Sequence, residues 1–493
     1  MLLAIRHCLL IVILSLLGHV TLMAQTPAEL QACLDGTASV CTVGTVGSPE
    51  NWLFAILDFE KKQESNPHWI CNEPSRSPWC GFHYQVLKVN RGGVTITSVD
   101  GNPQNFFASN AIDWEHPLME INFQGTQGVA IRNIRFHNYH ENYPSVRPLL
   151  KITRAELSGN WPANPFLSAG PYSVEVDDCQ FYYGQGGSQA PSAGVVVMNL
   201  HGLTRANDIY IHHSYFEYST VGFFTGLDDP YALPSGQFGV GCDTLANYRD
   251  STASYTPRNI RIEYNTFKNV GQGALSLNNT RWVGIRYNTL MNDWAVHNSG
   301  TDQGGAIFAD QCSDTVDIIG NSLWGPGAGL DANAQMAGLE LLGRSATVSG
   351  NVIRDFYLDG ISAQNVYNLT ISGNQIYGNN TSGYPSGGIK IRNILSVGYP
   401  DYSRRTNGIT ISSNDLGNLG VKRQKYGIRM DYHSPQPIPL NIQIHPNNLY
   451  YGVGNDFGPA CYYNWPPSPY LPLTPNPQNV STPGNSIAWV ACQ

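Results

Sequence analysis

Charge is scarce in this chain: Asp, Glu, Lys and Arg make up 13% of 493 residues, against 50 Gly and 27 Tyr. Disordered segments show the opposite bias, with many charges and few aromatics, so a folded protein rich in turns is indicated. The net charge of -8 argues against nucleic acid as the main partner. Long apolar runs are missing too. Beyond residue 24 no segment is apolar enough to span a bilayer, which takes about 20 residues. There is no phosphate loop, no dinucleotide fingerprint and no Cys/His group at zinc-ligand spacing. His137, His140, His212, His213, His433 and His445 are scattered and read as structural.

The one short apolar run stands at the start. Arg6 precedes it, residues 8–17 are almost wholly apolar, and Ala24 is a small residue before Gln25. These are the three parts of a secretory signal peptide. Residues 1–24 are therefore expected to be removed and the protein to be secreted, extracellular or periplasmic, with no membrane attachment afterwards. Export permits disulfides. Ten cysteines less Cys8 of the leader leave nine, with Cys33/Cys41, Cys71/Cys80 and Cys461/Cys492 as local pairs and Cys179 expected to be free.

A repeat runs along the chain: apolar, any, apolar, two residues, Asn, any, apolar. It appears as Ile260-Ile262-Asn265-Phe267, Val283-Ile285-Asn288-Leu290, Val316-Ile318-Asn321-Leu323 and Ala346-Val348-Asn351-Ile353. It continues as Leu369-Ile371-Asn374-Ile376, Ile409-Ile411-Asn414-Leu416 and Ile442-Ile444-Asn447-Leu449. Three earlier copies replace the Asn: Val129-Ile131-Ile134-Phe136, Val174-Val176-Cys179-Phe181 and Ile209-Ile211-Ser214-Phe216. Alternating apolar residues bury one face of a short strand, and Asn suits the turn that follows because it tolerates left-handed backbone angles. Stacked coils lie about 4.8 Å apart, so Asn amides at one position can bond up and down an internal ladder. Cys179 and Ser214 would extend that ladder as small buried groups. Ladder spacings of 23, 33, 30, 23, 40 and 33 residues describe a fixed coil carrying loops of different length.

With its Asn ladder and a second, Gly-led strand motif between copies, the chain resembles the right-handed parallel β-helix superfamily. That superfamily includes pectate lyases, polygalacturonases, alginate and chondroitin lyases and phage tailspikes. The Gly-led strands begin at Gly273, Gly338, Gly360, Gly388 and Gly427. The fold class expected is all-β, a right-handed parallel β-helix solenoid of about ten recognisable rungs over residues 85–455. Residues 25–84 are expected to form a disulfide-stapled N-terminal cap and entry segment, with an amphipathic helix from residue 27. Residues 456–493 are expected to form a Pro-rich cap or tail.

The resemblance implies a substrate cleft floored by the Gly-led strands. Their outward positions align as Ser276, Phe308, Glu340, Ser362, Lys390 and Arg429, and two residues on as Asn278, Asp310, Leu342, Gln364, Arg392 and Asp431. Lys390, Arg392 and Arg429 fall on neighbouring rungs, and Arg404, Arg405, Lys422, Arg423 and Lys425 lie in nearby loops. Cations grouped in a cleft of an acidic protein focus an acidic ligand, so the partner expected is an acidic, uronate-containing polysaccharide bound by a monomer. Elimination from a uronate needs a cation at the carboxylate and a base at the neighbouring carbon. Lys390 and Arg429 resemble the Lys/Arg pair of alginate and chondroitin lyases and take those roles, with Arg392, Gln364, Arg404 and Asp310 as substrate contacts. No cofactor is required by the pattern; calcium, which often neutralises the carboxylate in those relatives, could be held by Glu340. A second chemistry is inverting hydrolysis with Asp310 and Glu340 as paired carboxylates, although Gly-His-Gly and Asn-Thr-Asp motifs are absent and Asp177-Asp178 and Asp228-Asp229 lie outside the basic region. A third reading is a non-catalytic glycan-binding or surface structural protein.

Overall fold

The computed structural model describes residues 21–24, 26–44, 51–54, 87–101, 104–108, 117–138, 148–157, 170–183, 193–199, 206–219, 221–227, 257–270, 273–278, 280–291, 304–309, 313–325, 336–379, 387–393, 406–417, 424–433, 440–445, 447–451, 458–465, 480–481 and 489–491. They build three parallel sheets, taken here in the order the chain visits them within a coil. The first has 14 strands, the second 12 and the third 13, and each strand pairs with its equivalents one coil before and one coil after. This is the parallel β-helix that the repeat predicts, wound right-handed as parallel crossovers almost always are. The stack is longer than the ten copies visible in sequence. Thr21–Ala24, inside the segment read as a leader, pairs with Val40–Val43, and Gly458–Trp465 and Trp489–Ala491 continue the third sheet into the segment read as a tail.

Register follows the apolar alternation. Ile260, Val283, Val316, Ala346, Leu369, Ile409 and Ile442 stand side by side across the first sheet, and their side chains fill the interior. In the second sheet Phe136, Phe181, Phe216 and Phe267 stack with centroids 5.0, 4.7 and 4.6 Å apart. The Gly-led motif of the third sheet has a steric cause. A Cβ on Gly338 would meet the Gly360 carbonyl and an Ile353 methyl, both at 2.5 Å, so the coil corner closes only without one.

The Asn ladder is present, with two corrections. Asn265, Asn288, Asn321, Asn351, Asn374 and Asn414 are buried, and each donates Nδ2–H to the next amide oxygen at 2.9–3.0 Å. Its last member is Asn448, which accepts from Asn414; Asn447 is exposed and bonds Ser413. The turn after Ile444 holds one residue more than the others, so the pattern points one position early. The left-handed angle also falls elsewhere than expected, on the residue before the ladder position: His213, Tyr264 and Tyr287 have φ of 48°, 58° and 56°. Asn at the ladder serves hydrogen bonding, not backbone freedom. Ser214 and Cys179 extend the ladder as foreseen, the Cys179 amide donating to Ser214 Oγ and the Ser214 amide to Asn265 Oδ1. Cys179 is free and buried, and burial pushes its thiol up to about 12, which makes it inert.

The N-terminal cap shows how the open end of the stack is closed. Pro27–Asp35 is a helix whose start carries a capping box between Thr26 and Glu29. Leu30, Cys33 and Leu34 are buried against the first coil, and Cys33 is bonded to Cys41. Gln31 offers its amide to the edge strand Leu87–Val89, accepting from the Lys88 N–H and donating to the Lys88 carbonyl, so the edge is occupied by a side chain. The guanidinium of Arg91 donates to the carbonyls of Leu34 and Cys33 in the last helical turn and of Ala38 beyond it. Cys71, Cys80 and Cys492, and the side chain of Cys461, lie outside the described residues.

One half-buried carboxyl in the first sheet has a measurable consequence. Burial pushes Asp208 up to about 6, opposed by a hydrogen bond from Asn259 and by Arg258. An acid raised in the fold binds its proton more tightly there than when unfolded, so its share of stability is present at low pH and lost as pH rises from about 4 to 6. Asp208→Asn keeps the acceptor oxygen and suits the left-handed backbone (φ 57°). It is expected to raise the urea midpoint at pH 7 and leave it unchanged at pH 4.

Candidate functional site

Strand pairing in the third sheet reproduces the expected outward column. Ser276, Phe308, Glu340, Ser362, Lys390 and Arg429 are register partners in turn, as are Gln364, Arg392 and Asp431. What the column holds differs from a bare cationic strip. Lys390 Nζ lies 3.6 Å from Asp359 Oδ2 and 3.5 Å from Asp431 Oδ2, and both carboxylates are 2% exposed. Arg429 is itself buried and makes a bidentate contact with Asp431 through Nε and Nη2. Three carboxylates (Glu340, Asp359, Asp431) thus stand among three cations (Lys390, Arg392, Arg429). Asp359 escapes a reading of outward strand positions because it precedes Gly360 in the turn entering the strand Ile361–Gln364. Its Oδ1 accepts the Gly387 N–H at 2.8 Å, which fixes the carboxylate that holds Lys390.

Glu340 is the titratable outlier of the column. Burial raises its pKa, against the pull of Arg392, a hydrogen bond from Gln364 and the charge of Lys390, with Asp359 adding to the rise. Gln364 Nε2 donates to Glu340 Oε1 at 2.6 Å and to Ser362 Oγ at 3.0 Å. Burial also lowers the pKa of Arg392, which Asp431, Asp359 and Glu340 partly offset. Arg392 Nε is buried with no hydrogen-bond partner among the described residues. The expected calcium position at Glu340 is not supported. The carboxylate faces Arg392 and Lys390 and a Gln364 donor, and cations on that side disfavour another cation. Asp310, Arg404, Arg405, Lys422 and Arg423 lie outside the described residues.

A second cluster stands on the first sheet, where the sequence reading saw only scattered histidines. Asp177 and His212 are register partners on the adjacent strands Val174–Asp177 and Asn207–His212, and His213 follows in the turn. Asp177, His212 and His213 bring one ligand atom each into a group that could hold a metal ion. Glu175, beside them, is salt-bridged to Arg132 at 2.7 Å and lies 3.3 Å from His212 Nε2. Burial raises the pKa of Glu175, but Arg132 and His212 outweigh it and hold the carboxylate below its ordinary range. The signal was present in the repeat: aligning Val174-Val176-Cys179 with Ile209-Ile211-Ser214 sets Asp177 beside His212.

No protein-family profile matches the sequence, and no curated protein matches it. Among solved structures, the A-module of the Azotobacter vinelandii mannuronan C-5 epimerase AlgE4 is similar at 9% identity and TM-score 0.45, over 80% of this chain and 90% of that one. Tailspike protein 3 of bacteriophage CBA120 is similar at 10% identity and TM-score 0.42, over 87% and 56%. A mutant of the periplasmic alginate epimerase AlgG is similar at 11% identity and TM-score 0.41, over 74% and 77%.

Proposed function

We propose that this protein is secreted and carbohydrate-directed, and that it cleaves an acidic polysaccharide laid along the third-sheet column. The observation that carries the reading is that Glu340, a carboxyl whose pKa burial raises, shares the column with Lys390, an ammonium held between two buried aspartates. A proton donor next to a positioned cation is what departure of a sugar oxygen beside a uronate requires. In elimination, Lys390 and Arg392 neutralise the uronate carboxylate and acidify the neighbouring C–H, a solvent water or hydroxide takes that proton, and Glu340 protonates the leaving glycosidic oxygen as its bond to carbon breaks and the ring double bond forms. The base role that the family resemblance suggests for Lys390 does not suit an ammonium clamped by two carboxylates. Arg429, whose guanidinium is spent on Asp431, positions that clamp and does not reach substrate.

Inverting hydrolysis uses the same Glu340 as acid, with Asp310 as its partner. The cations favour elimination, since a neutral sugar offers Lys390 and Arg392 nothing to pair with. Export is supported by the leader pattern and by the Cys33–Cys41 disulfide. The test is incubation with alginate, pectate, chondroitin and neutral glycans, following unsaturated-uronate absorbance and reducing ends together. Absorbance with reducing ends means elimination, reducing ends alone mean hydrolysis, and neither, with retained binding, reduces the protein to a glycan-binding surface.

A further inference from the structure

We propose that Asp177, His212 and His213 form a binding site for a divalent transition-metal ion that braces two adjacent coils on the first sheet. Three atoms converge there: His212 Nδ1 is 2.9 Å from His213 Nδ1 and 3.0 Å from Asp177 Oδ1, and His213 Nδ1 is 3.3 Å from the same oxygen. Imidazole nitrogen and carboxylate oxygen bind such ions at about 2.0–2.2 Å. Ligands at that distance stand about 2.9 Å apart around an octahedral ion and about 3.3 Å apart around a tetrahedral one. The observed triangle spans that range, so an ion can reach all three atoms with little movement.

With His212 neutral, protons alone serve this triangle poorly. Glu175 Oε1 lies 3.3 Å from His212 Nε2 and, as a carboxylate, it can only accept. It therefore favours the tautomer with the proton on Nε2, which leaves a bare lone pair on Nδ1 facing the Asp177 oxygen. A carboxylate behind a ligating imidazole is the usual outer support of a metal site, and Arg132 holds that carboxylate in place at 2.7 Å. Both rings are oriented from outside as well. His212 stacks on Tyr210 at 4.0 Å, and His213 stacks on Tyr264 at 5.5 Å from a backbone with φ of 48°, a conformation uncommon outside glycine.

Ligand chemistry narrows the ion. Two imidazoles and one carboxylate suit zinc, cobalt, nickel or copper, whereas calcium wants six to eight oxygens. His213 is 54% exposed, so the remaining coordination positions face solvent. Because Asp177 and His212 belong to neighbouring strands, the ion would add a cross-link to coils already joined by strand pairing, ladder hydrogen bonds and packing.

The experiment is titration of the tag-free full chain, stripped with chelator, with zinc chloride by calorimetry, and with cobalt(II) by visible absorbance. One ion per chain is expected, with cobalt ligand-field bands, a rise in Tm and no competition by calcium. His213→Ala, at an exposed turn, and Asp177→Asn should each weaken zinc by more than about tenfold and abolish the cobalt bands, with unchanged circular dichroism. Glu175→Gln should weaken zinc by about tenfold, as loss of outer support does. Failure of the wild-type chain to bind zinc, or equal binding and equal cobalt bands in folded His213→Ala and Asp177→Asn, overturns the site.

Discussion

Glu340→Gln is expected to lower turnover of the susceptible polysaccharide by about 10²–10⁴-fold, the usual contribution of a positioned general acid, and to leave the fold intact. The amide keeps an oxygen for the Gln364 N–H that Glu340 now accepts. What it cannot do is give up a proton. The pH profile separates this from a structural effect. Burial raises the Glu340 pKa, so the acid form survives to higher pH than an ordinary glutamate, and the wild-type rate should fall on the alkaline side as Glu340 ionises. That limb should vanish in Glu340→Gln, whose residual rate should not follow the same ionisation. By linkage, a raised acid also contributes stability at low pH that is lost as pH rises through its folded value, and the variant should lack that loss. A variant with wild-type turnover and the same alkaline limb would remove Glu340 from the chemistry and leave the column as a binding surface.

Asn351→Ala should be strongly destabilising although it removes no apolar packing. Asn351 Nδ2 donates to the carbonyls of Ile318 and Ser349 and to Asn374 Oδ1, and its Oδ1 accepts from the backbone and side chain of Asn321. Alanine strands the Asn321 N–H and the Ile318 carbonyl in a water-free interior, and a buried unsatisfied group costs about 1–3 kcal/mol. A loss of about 3–5 kcal/mol in urea unfolding is expected, with faster hydrogen exchange at the Asn321 amide before any change at distant coils, since each rung leans only on its neighbours. Asn447→Ala provides the contrast. It sits one residue before the true ladder member Asn448 and is exposed, so its effect should stay within about 0.5 kcal/mol. Equal costs at Asn351 and Asn447 would contradict the register.

The ladder and the charge column were legible in the sequence to different depths. A strand with one buried face must alternate, and a coil whose turn faces inward must satisfy its backbone there, so Ile260-Ile262-Asn265 and its copies announce both the strand and its partner. The column Ser276 to Arg429 was legible for the same reason: parallel register carries a position from one coil to the next unchanged. Asn447 was misread because a single added residue in a turn shifts the ladder without breaking the apolar pattern.

What the sequence could not decide was the company each charge keeps. Lys390 reads as a catalytic cation in the sequence; its partner Asp359 lies in a turn outside the aligned strand positions, and Asp431, aligned in the second column, also holds Arg429. His212 and His213 read as stray residues because Asp177 is 35 positions upstream of His212 and meets it only through coil stacking. The sequence by itself determined the solenoid, its interior and the direction each strand residue faces, since these follow from a repeated local pattern acting between nearest neighbours. The tertiary structure alone decided which acids face which cations, which carboxyl burial pushes up and which ligand atoms converge. Those depend on distances of a few ångströms between residues that no local pattern links.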